Sequence, residues 1–229
     1  MSRPDYTAIM LLVDRSGSMA AIKSSAESGI NEFIGSMCDA EDKRTIRIAQ
    51  FDWDYTAGWD HNAPNGRGGA MRYETWCQSI DPSQVPPFVL TPKGATPLLD
   101  AMGTAITEFA AELAAMPEDE QPGVVIFAIM TDGIENASRE YTQPQIREMV
   151  TRQETEFGWQ VVYLGANQDA FTVGEQLGIR RDRTMTYSAT GHGTRSATQS
   201  MASYVASAAC GQTAAFTDEQ RADAVKEGE

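Results

Sequence analysis

Two stretches of almost unbroken apolar residues, Tyr6-Thr-Ala-Ile-Met-Leu-Leu-Val13 and Gly123-Val-Val-Ile-Phe-Ala-Ile-Met130, constrain the fold more than any other feature. A strand with one wet face alternates apolar and polar residues. These do not, so both read as strands covered on both sides. Each is far shorter than the roughly 20 residues a membrane helix needs. Each also ends on an aspartate turn: Asp14 follows the first run, and Thr131-Asp132-Gly133 follows the second.

Trp159-Gln-Val-Val-Tyr-Leu164 reads as a third strand of this kind. Ile46-Arg-Ile-Ala-Gln-Phe51 alternates more and is expected nearer an edge. Met71 to Ser79, after the turn Gly66-Arg-Gly-Gly69, suggests a hairpin, and Thr184 to Tyr187 a short last strand. Between them, apolar residues recur at helical spacing. Ile22, Ala26, Ile30, Phe33, Ile34 and Met37 form one stripe. Leu98, Ala101, Met102, Ala105, Ile106, Phe109 and Leu113 form another. Pro97 suits the first helical position and Thr96 its N-cap. Pro144 opens a further helix that Gly158 ends. Ala170 to Leu177 closes at Gly178, Thr194 to Ala209 is a helix of small residues, and Thr217 caps a charged helix over Asp218 to Glu227.

The order β-α-β-β-α-β-α-β-α-β-α implies a largely parallel sheet with helices on both faces. The expected fold is a Rossmann-like three-layer α/β/α sandwich, its six-stranded sheet mostly parallel with one antiparallel edge strand. One domain is expected over residues 1–212, followed by a short charged C-terminal extension over 213–229. The segment Asp60 to Gly69, with His61, Pro64 and three glycines, reads as the least ordered part of the chain.

The formal charge of −14, from 18 basic and 32 acidic residues, argues against nucleic acid and against an anionic membrane surface as partners. Cys38, Cys77 and Cys210 are odd in number and form no CxxC pair, which fits a reducing compartment rather than a disulfide framework. No cleavage site follows the first apolar run. The expected localisation is therefore cytoplasmic. Nothing in the pattern specifies an oligomeric state.

In open α/β sheets, ligands bind beyond the carboxyl ends of the strands, where strand order reverses. Three polar clusters fall there: Asp14-Arg-Ser16-Gly-Ser18, Gly94-Ala-Thr96-Pro97 and Thr131-Asp132-Gly133. If the two buried strands are neighbours, Asp14 and Asp132 lie side by side at their tips. Two carboxylates and three hydroxyls suit a hard cation that takes six oxygen ligands. The absence of His and Cys from these three clusters argues against zinc and copper. Gly17 lets the loop turn tightly. A helix N-terminus at Thr96 favours an anionic ligand beside the cation.

Asp-x-Ser-x-Ser, a distant Thr and a distant Asp in Thr-Asp-Gly resemble the metal-ion-dependent adhesion site of von Willebrand factor type A domains. The stretches that carry the resemblance are Leu12 to Met19, Gly94 to Ala101, Thr131 to Ser138 and Leu164 to Ala170, within about residues 5 to 210. They look like small single-domain bacterial and phage members. The resemblance implies Mg²⁺, or Mn²⁺ or Ca²⁺, bound directly by Ser16 and Ser18. It implies a Thr96 bond that is direct or through water, and Asp14 and Asp132 acting mostly through bound waters. The sixth position would then take a Glu or Asp of a partner protein. The resemblance thus implies a non-enzymatic binding module, by analogy a scaffold in a signalling, stress or assembly pathway.

The competing class is a metal-dependent phosphoester hydrolase. It would need an activated water and usually a base or second metal, and the sequence offers no paired-metal set, no nucleophile beside a His and no phosphate-binding loop. Local readings also exist. Glu135 and Asn136 could reach the rim of the site or serve as caps. Asp100 suits a helix start, and Arg15 suits solvent or an acidic partner. Asn167, Gln168 and Asp169 could face the crevice or form a turn. His61 and His192 sit in expected loops. Trp53, Tyr55, Trp59, Tyr73 and Trp76 crowd the hairpin as core or as an exposed patch.

Overall fold

The computed structural model describes residues 3–38, 40, 42–57 and 68–226. Trp59, His61 and all of the segment Asp60 to Gly69 except Gly68 and Gly69 lie outside the described residues. The elements run β1 (Arg3–Asp14), α1 (Lys23–Cys38), β2 (Lys43–Asp54), β3 (Ala70–Ile80), α2 (Leu98–Ala114) and β4 (Pro122–Thr131). They continue with α3 (Gln143–Phe157), β5 (Gln160–Ala166), α4 (Ala170–Gln176), β6 (Thr184–Tyr187), α5 (Gly191–Ala209) and α6 (Asp218–Ala224). A 3-10 turn, Gly17–Ile22, leads into α1.

The strands form one sheet in the order β3-β2-β1-β4-β5-β6. All pairs are parallel except β2 with β3, so the hairpin supplies the antiparallel edge strand. The apolar run of β1 is explained by its central place. Ile9, Leu11 and Val13 face one core with α1 and α5, while Tyr6, Ala8, Met10 and Leu12 face the other with α2 and α3. Successive strand residues point to opposite faces, so two cores demand an unbroken apolar strand. β2 is second from the edge and also buried over Ile46–Trp53; its Arg47 and Gln50 are polar side chains inside the fold.

The ends of α3 follow their signals, whereas α5 begins at Gly191, ahead of the expected Thr194, so that His192 lies in the helix rather than in a loop. Thr142 and Gln145 form a capping box at α3, and Gly158 closes that helix with φ 68°. Residues 213–226 are docked: Phe216 and Ala224 are buried in the α1/α5 core, and Ser188 N donates to Ala224 O at 2.9 Å. Among the described residues no helix is long and apolar enough to cross a membrane.

Chain order reverses between β1 and β4. β2 and β3 build outward on one side of β1, whereas β4, β5 and β6 build outward on the other. Val13 pairs with Met130, which sets the ends of both strands level and brings Asp14 and Asp132 to the crevice between them.

Candidate metal centre

Three loops meet at that crevice. Asp14 is fully buried at the end of β1. Its Oδ1 accepts from Ser16 N at 2.6 Å and its Oδ2 from Thr131 Oγ1 at 2.7 Å, which ties the β1 tip to the β4 tip. Ser16 Oγ lies 3.0 Å from Ser18 Oγ, and Ser18 Oγ donates to Asp132 Oδ1 at 2.6 Å. Thr96 enters from the loop before α2. A Cβ placed on Gly133 would stand 2.5 Å from Thr96 Oγ1 and 3.3 Å from Asp14 Oδ2, so these two oxygens flank the Gly133 backbone. The structure thus brings Asp14, Ser16, Ser18, Thr96 and Asp132 together.

The loops are braced. Gly17 N donates to Gly94 O at 3.1 Å, and Lys93 N donates to Arg15 O at 2.8 Å. Gly94 has φ 74°, and a Cβ there would meet Trp53 O at 2.0 Å, so glycine is required where this loop crosses β2. Thr96 N donates to Asn136 Oδ1 at 2.9 Å, and Asn136 N donates back to Thr96 O at 3.1 Å. That reciprocal pair fixes the Thr96 main chain against the loop after β4.

The Thr96-Pro97 pattern makes Thr96 the expected N-cap of α2. The helix instead begins at Leu98 with Pro97 as N-cap and no side-chain capping bond. The orphan amides of its first turn are served from a distance: Glu135 Oε2 accepts from Leu99 N at 3.0 Å and Ser138 Oγ accepts from Asp100 N at 3.1 Å. Asp100, expected to start the helix, accepts from the amides of Arg139, Glu140 and Tyr141 at 2.8–2.9 Å. Both acids therefore shape the loop after β4.

The donor set fits a hard divalent cation. Metal–oxygen distances of about 2.0–2.1 Å at right angles place neighbouring ligand oxygens about 3 Å apart, the spacing seen between the Ser16 and Ser18 hydroxyls. The electrostatics point the same way. Burial, with a smaller contribution from the Asp132 charge, raises the Asp14 carboxyl to about 7 against the opposing hydrogen bonds of Thr131 and Ser16. Burial also raises Asp132. A nearby cation stabilises the charged forms that burial disfavours. The loop's own cation does not serve: the Arg15 guanidinium turns to Asp52 (3.2 Å) and to Glu74. Asp52 is itself fully buried and also binds Arg72. Among the described residues no group of three or more His, Cys, Asp or Glu is placed to hold a metal ion, so this two-carboxylate, three-hydroxyl set is the candidate.

The remaining residues resolve into local duties. Asn167 adopts φ 49° and accepts from Ala189 N at 2.9 Å, and Asp169 caps α4. Gln168 Nε2 lies 3.5 Å from Gly133 O, at the edge of the site. His192 Nε2 lies 3.2 Å from Asp223 O and joins α5 to α6. Trp76 packs edge-on against Phe88, and Trp53 is buried. Two residues the sequence did not mark are Tyr163 and Tyr187, whose hydroxyls are buried beside the centre, that of Tyr163 near the Gln168 side chain. Burial raises both, and the nearby acids add to it.

No family model matches the sequence, and no curated protein matches it. Solved structures do. Proximal thread matrix protein 1 of the mussel byssus is similar over 87% of this chain and 48% of its own, at 15% identity and a TM-score of 0.60. The pilus adhesin SpaC of Lactobacillus rhamnosus GG, in an open conformation, is similar over 87% and 30%, at 14% and 0.58. A von Willebrand factor type A structure from Catenulispora acidiphila is similar over 87% and 42%, at 12% and 0.51. The chain spans less than half the length of each. One structure of the mussel protein, at 14% identity and a TM-score of 0.54, has its metal-ion-dependent adhesion site occupied by zinc. At such identities the likeness is one of fold, and the chain folds as a Rossmann-like α/β sandwich of the von Willebrand factor type A kind.

Proposed function

We propose that this protein is a metal-dependent protein-interaction module. In this reading Asp14, Ser16, Ser18, Thr96 and Asp132 hold one divalent cation, and a Glu or Asp side chain of a partner completes the site. The observation that carries it is the meeting of five oxygen donors from three loops at the switch point, around two carboxylates that burial leaves short of positive charge. When bound, the cation supplies an electrophilic position open to a carboxylate. Ser16 and Ser18 offer neutral donors, which leave more of the cation's charge for the partner. Asp14 is held by Ser16 N and Thr131 Oγ1 and so sits ready to orient bound water. Mg²⁺ suits the donor set best. Zinc at the corresponding site of the mussel protein makes zinc a competitor worth testing. A bacterial or phage scaffold is the setting that the sequence resemblance favours.

The test is a melting-temperature series. Millimolar Mg²⁺ or Mn²⁺ should raise the melting temperature of the wild type, by the linkage of binding to folding, and Asp14→Ala should abolish the rise. An equal rise in the mutant would remove the cation from this crevice.

A further inference from the structure

Beside the candidate centre lies a cleft of about 320 Å³, lined by Trp53, Tyr55, Ala95, Asn136 and Arg139 among others. It adjoins the centre through the main chain. Ala95 precedes Thr96, and Asn136 is the residue that clasps the Thr96 main chain. Its floor is rigid: Trp53 is buried, and its amide donates to Ala95 O at 3.1 Å.

Arg139 is exposed, and its guanidinium carbon lies 4.4 Å from the centre of the Trp53 ring. A guanidinium laid on an aromatic face keeps its in-plane N–H donors for a carboxylate, which it grips with two parallel hydrogen bonds. Among the described residues no carboxylate pairs with Arg139, whereas Arg15, Arg47, Arg72 and Arg183 all have acidic partners. Its base is fixed as well, because Arg139 N donates to the buried Asp100 carboxylate at 2.8 Å. Tyr55, 51% exposed, adds an aromatic wall.

We infer that this cleft receives a second carboxylate of the same partner segment, so that the module reads a pair of acids. One acid sits at the cation and the other at Arg139. The inference rests on the metal-dependent grip proposed above. It adds specificity, because a segment with one acid would leave Arg139 without its anion.

A phage-displayed library of random dodecapeptides, selected on the full chain in millimolar Mg²⁺ and again in EDTA, tests it. The expected result is Mg²⁺-dependent enrichment of peptides with two acids at a fixed spacing. Replacing one acid by Ala should abolish binding, and replacing the other should weaken it about tenfold. Arg139→Gln should weaken the parent peptide to the same degree and be indifferent to loss of that second acid, with an unchanged melting temperature. Arg139→Lys, which keeps charge but not the planar fork, should recover only part of the loss. Mg²⁺-dependent peptides that need a single acid, or that bind Arg139→Gln as tightly as wild type, would overturn the acid-pair inference and leave the cation site standing. Absence of any Mg²⁺-dependent enrichment would overturn the metal-dependent grip and this inference with it.

Discussion

Replacing Gly133 by alanine perturbs the candidate centre while sparing the fold. Gly133 does not lie in the left-handed backbone region, so alanine is acceptable to the main chain. The new methyl, however, would stand 2.5 Å from Thr96 Oγ1. An ordinary close carbon–oxygen contact is about 3.3 Å, so the hydroxyl must retreat by about 0.8 Å. The Thr96 main chain cannot carry it away, because both its N–H and its C=O are bonded to Asn136. Rotation about χ1 remains, and in a β-branched residue that moves the hydroxyl out of its place entirely. Overpacking of this kind costs about 1–3 kcal/mol of stability. A cation site held to about 0.5 Å tolerates no such shift, so Mg²⁺ affinity should fall by roughly 10–100-fold. Isothermal titration calorimetry with Mg²⁺ reads the affinity, and thermal denaturation in EDTA reads the stability. Gly35→Ala is the control. Its Cβ would meet nothing within 4 Å in α1, so it should raise stability by about 0.5–1 kcal/mol and leave the affinity alone. A Gly133→Ala protein that binds Mg²⁺ as tightly as wild type would refute the place assigned to Thr96.

The other predictions concern charge and loop support. Asp14 is raised in the folded state, so between the ordinary carboxyl value and about 7 the native protein holds a proton that the unfolded chain has lost. The Asp14 contribution to stability in EDTA, read as the difference between wild type and Asp14→Asn, should therefore be fullest below the ordinary carboxyl value and be lost as pH rises to about 7, by at most about 1.4 kcal/mol per pH unit. The cation favours the ionised form, so the Mg²⁺-induced rise in melting temperature should be larger at pH 8 than at pH 5; a reversed order would contradict the burial argument. Asp100→Ala strands three loop amides and should cost about 3–5 kcal/mol, a drop of about 6–20 °C in melting temperature for a chain this size. Asp52→Ala leaves Arg15 buried beside Glu74 alone and should cost about 3–5 kcal/mol in urea denaturation; a loss under 1 kcal/mol would show that the network is dispensable.

Much of this structure is written in local pattern. The runs at Tyr6–Val13 and Gly123–Met130 are legible as doubly covered strands because each face meets its own core. The Asp-Ser-Ser cluster is legible because its spacing is local and the strand end gives its place. What sequence reasoning misses is set by contacts between distant segments. Glu135 does serve its own turn, accepting from Ala137 N and Ser138 N, but it also accepts from Leu99 N 36 residues away. Asp100 looks like a helix-start residue, yet its partners are amides 39–41 residues away. The Thr96-Pro97 dipeptide has a capping signature, and the distant Glu135 and Ser138 take over that duty. Arg15 lies between two site residues, yet it is buried against Asp52, 37 residues away. The Trp53–Arg139 pair behind the neighbouring cleft is likewise joined only by the fold.

In the proposed function a divalent cation sits between the two serine hydroxyls and the paired aspartates. Crystals grown with millimolar Mn²⁺ test it most directly, through the anomalous signal of the ion. One strong anomalous peak is expected within about 2.2 Å of Ser16 Oγ and Ser18 Oγ, lost in Asp14→Ala. A map with no peak in that crevice, or with its strongest peak elsewhere on the molecule, would contradict it.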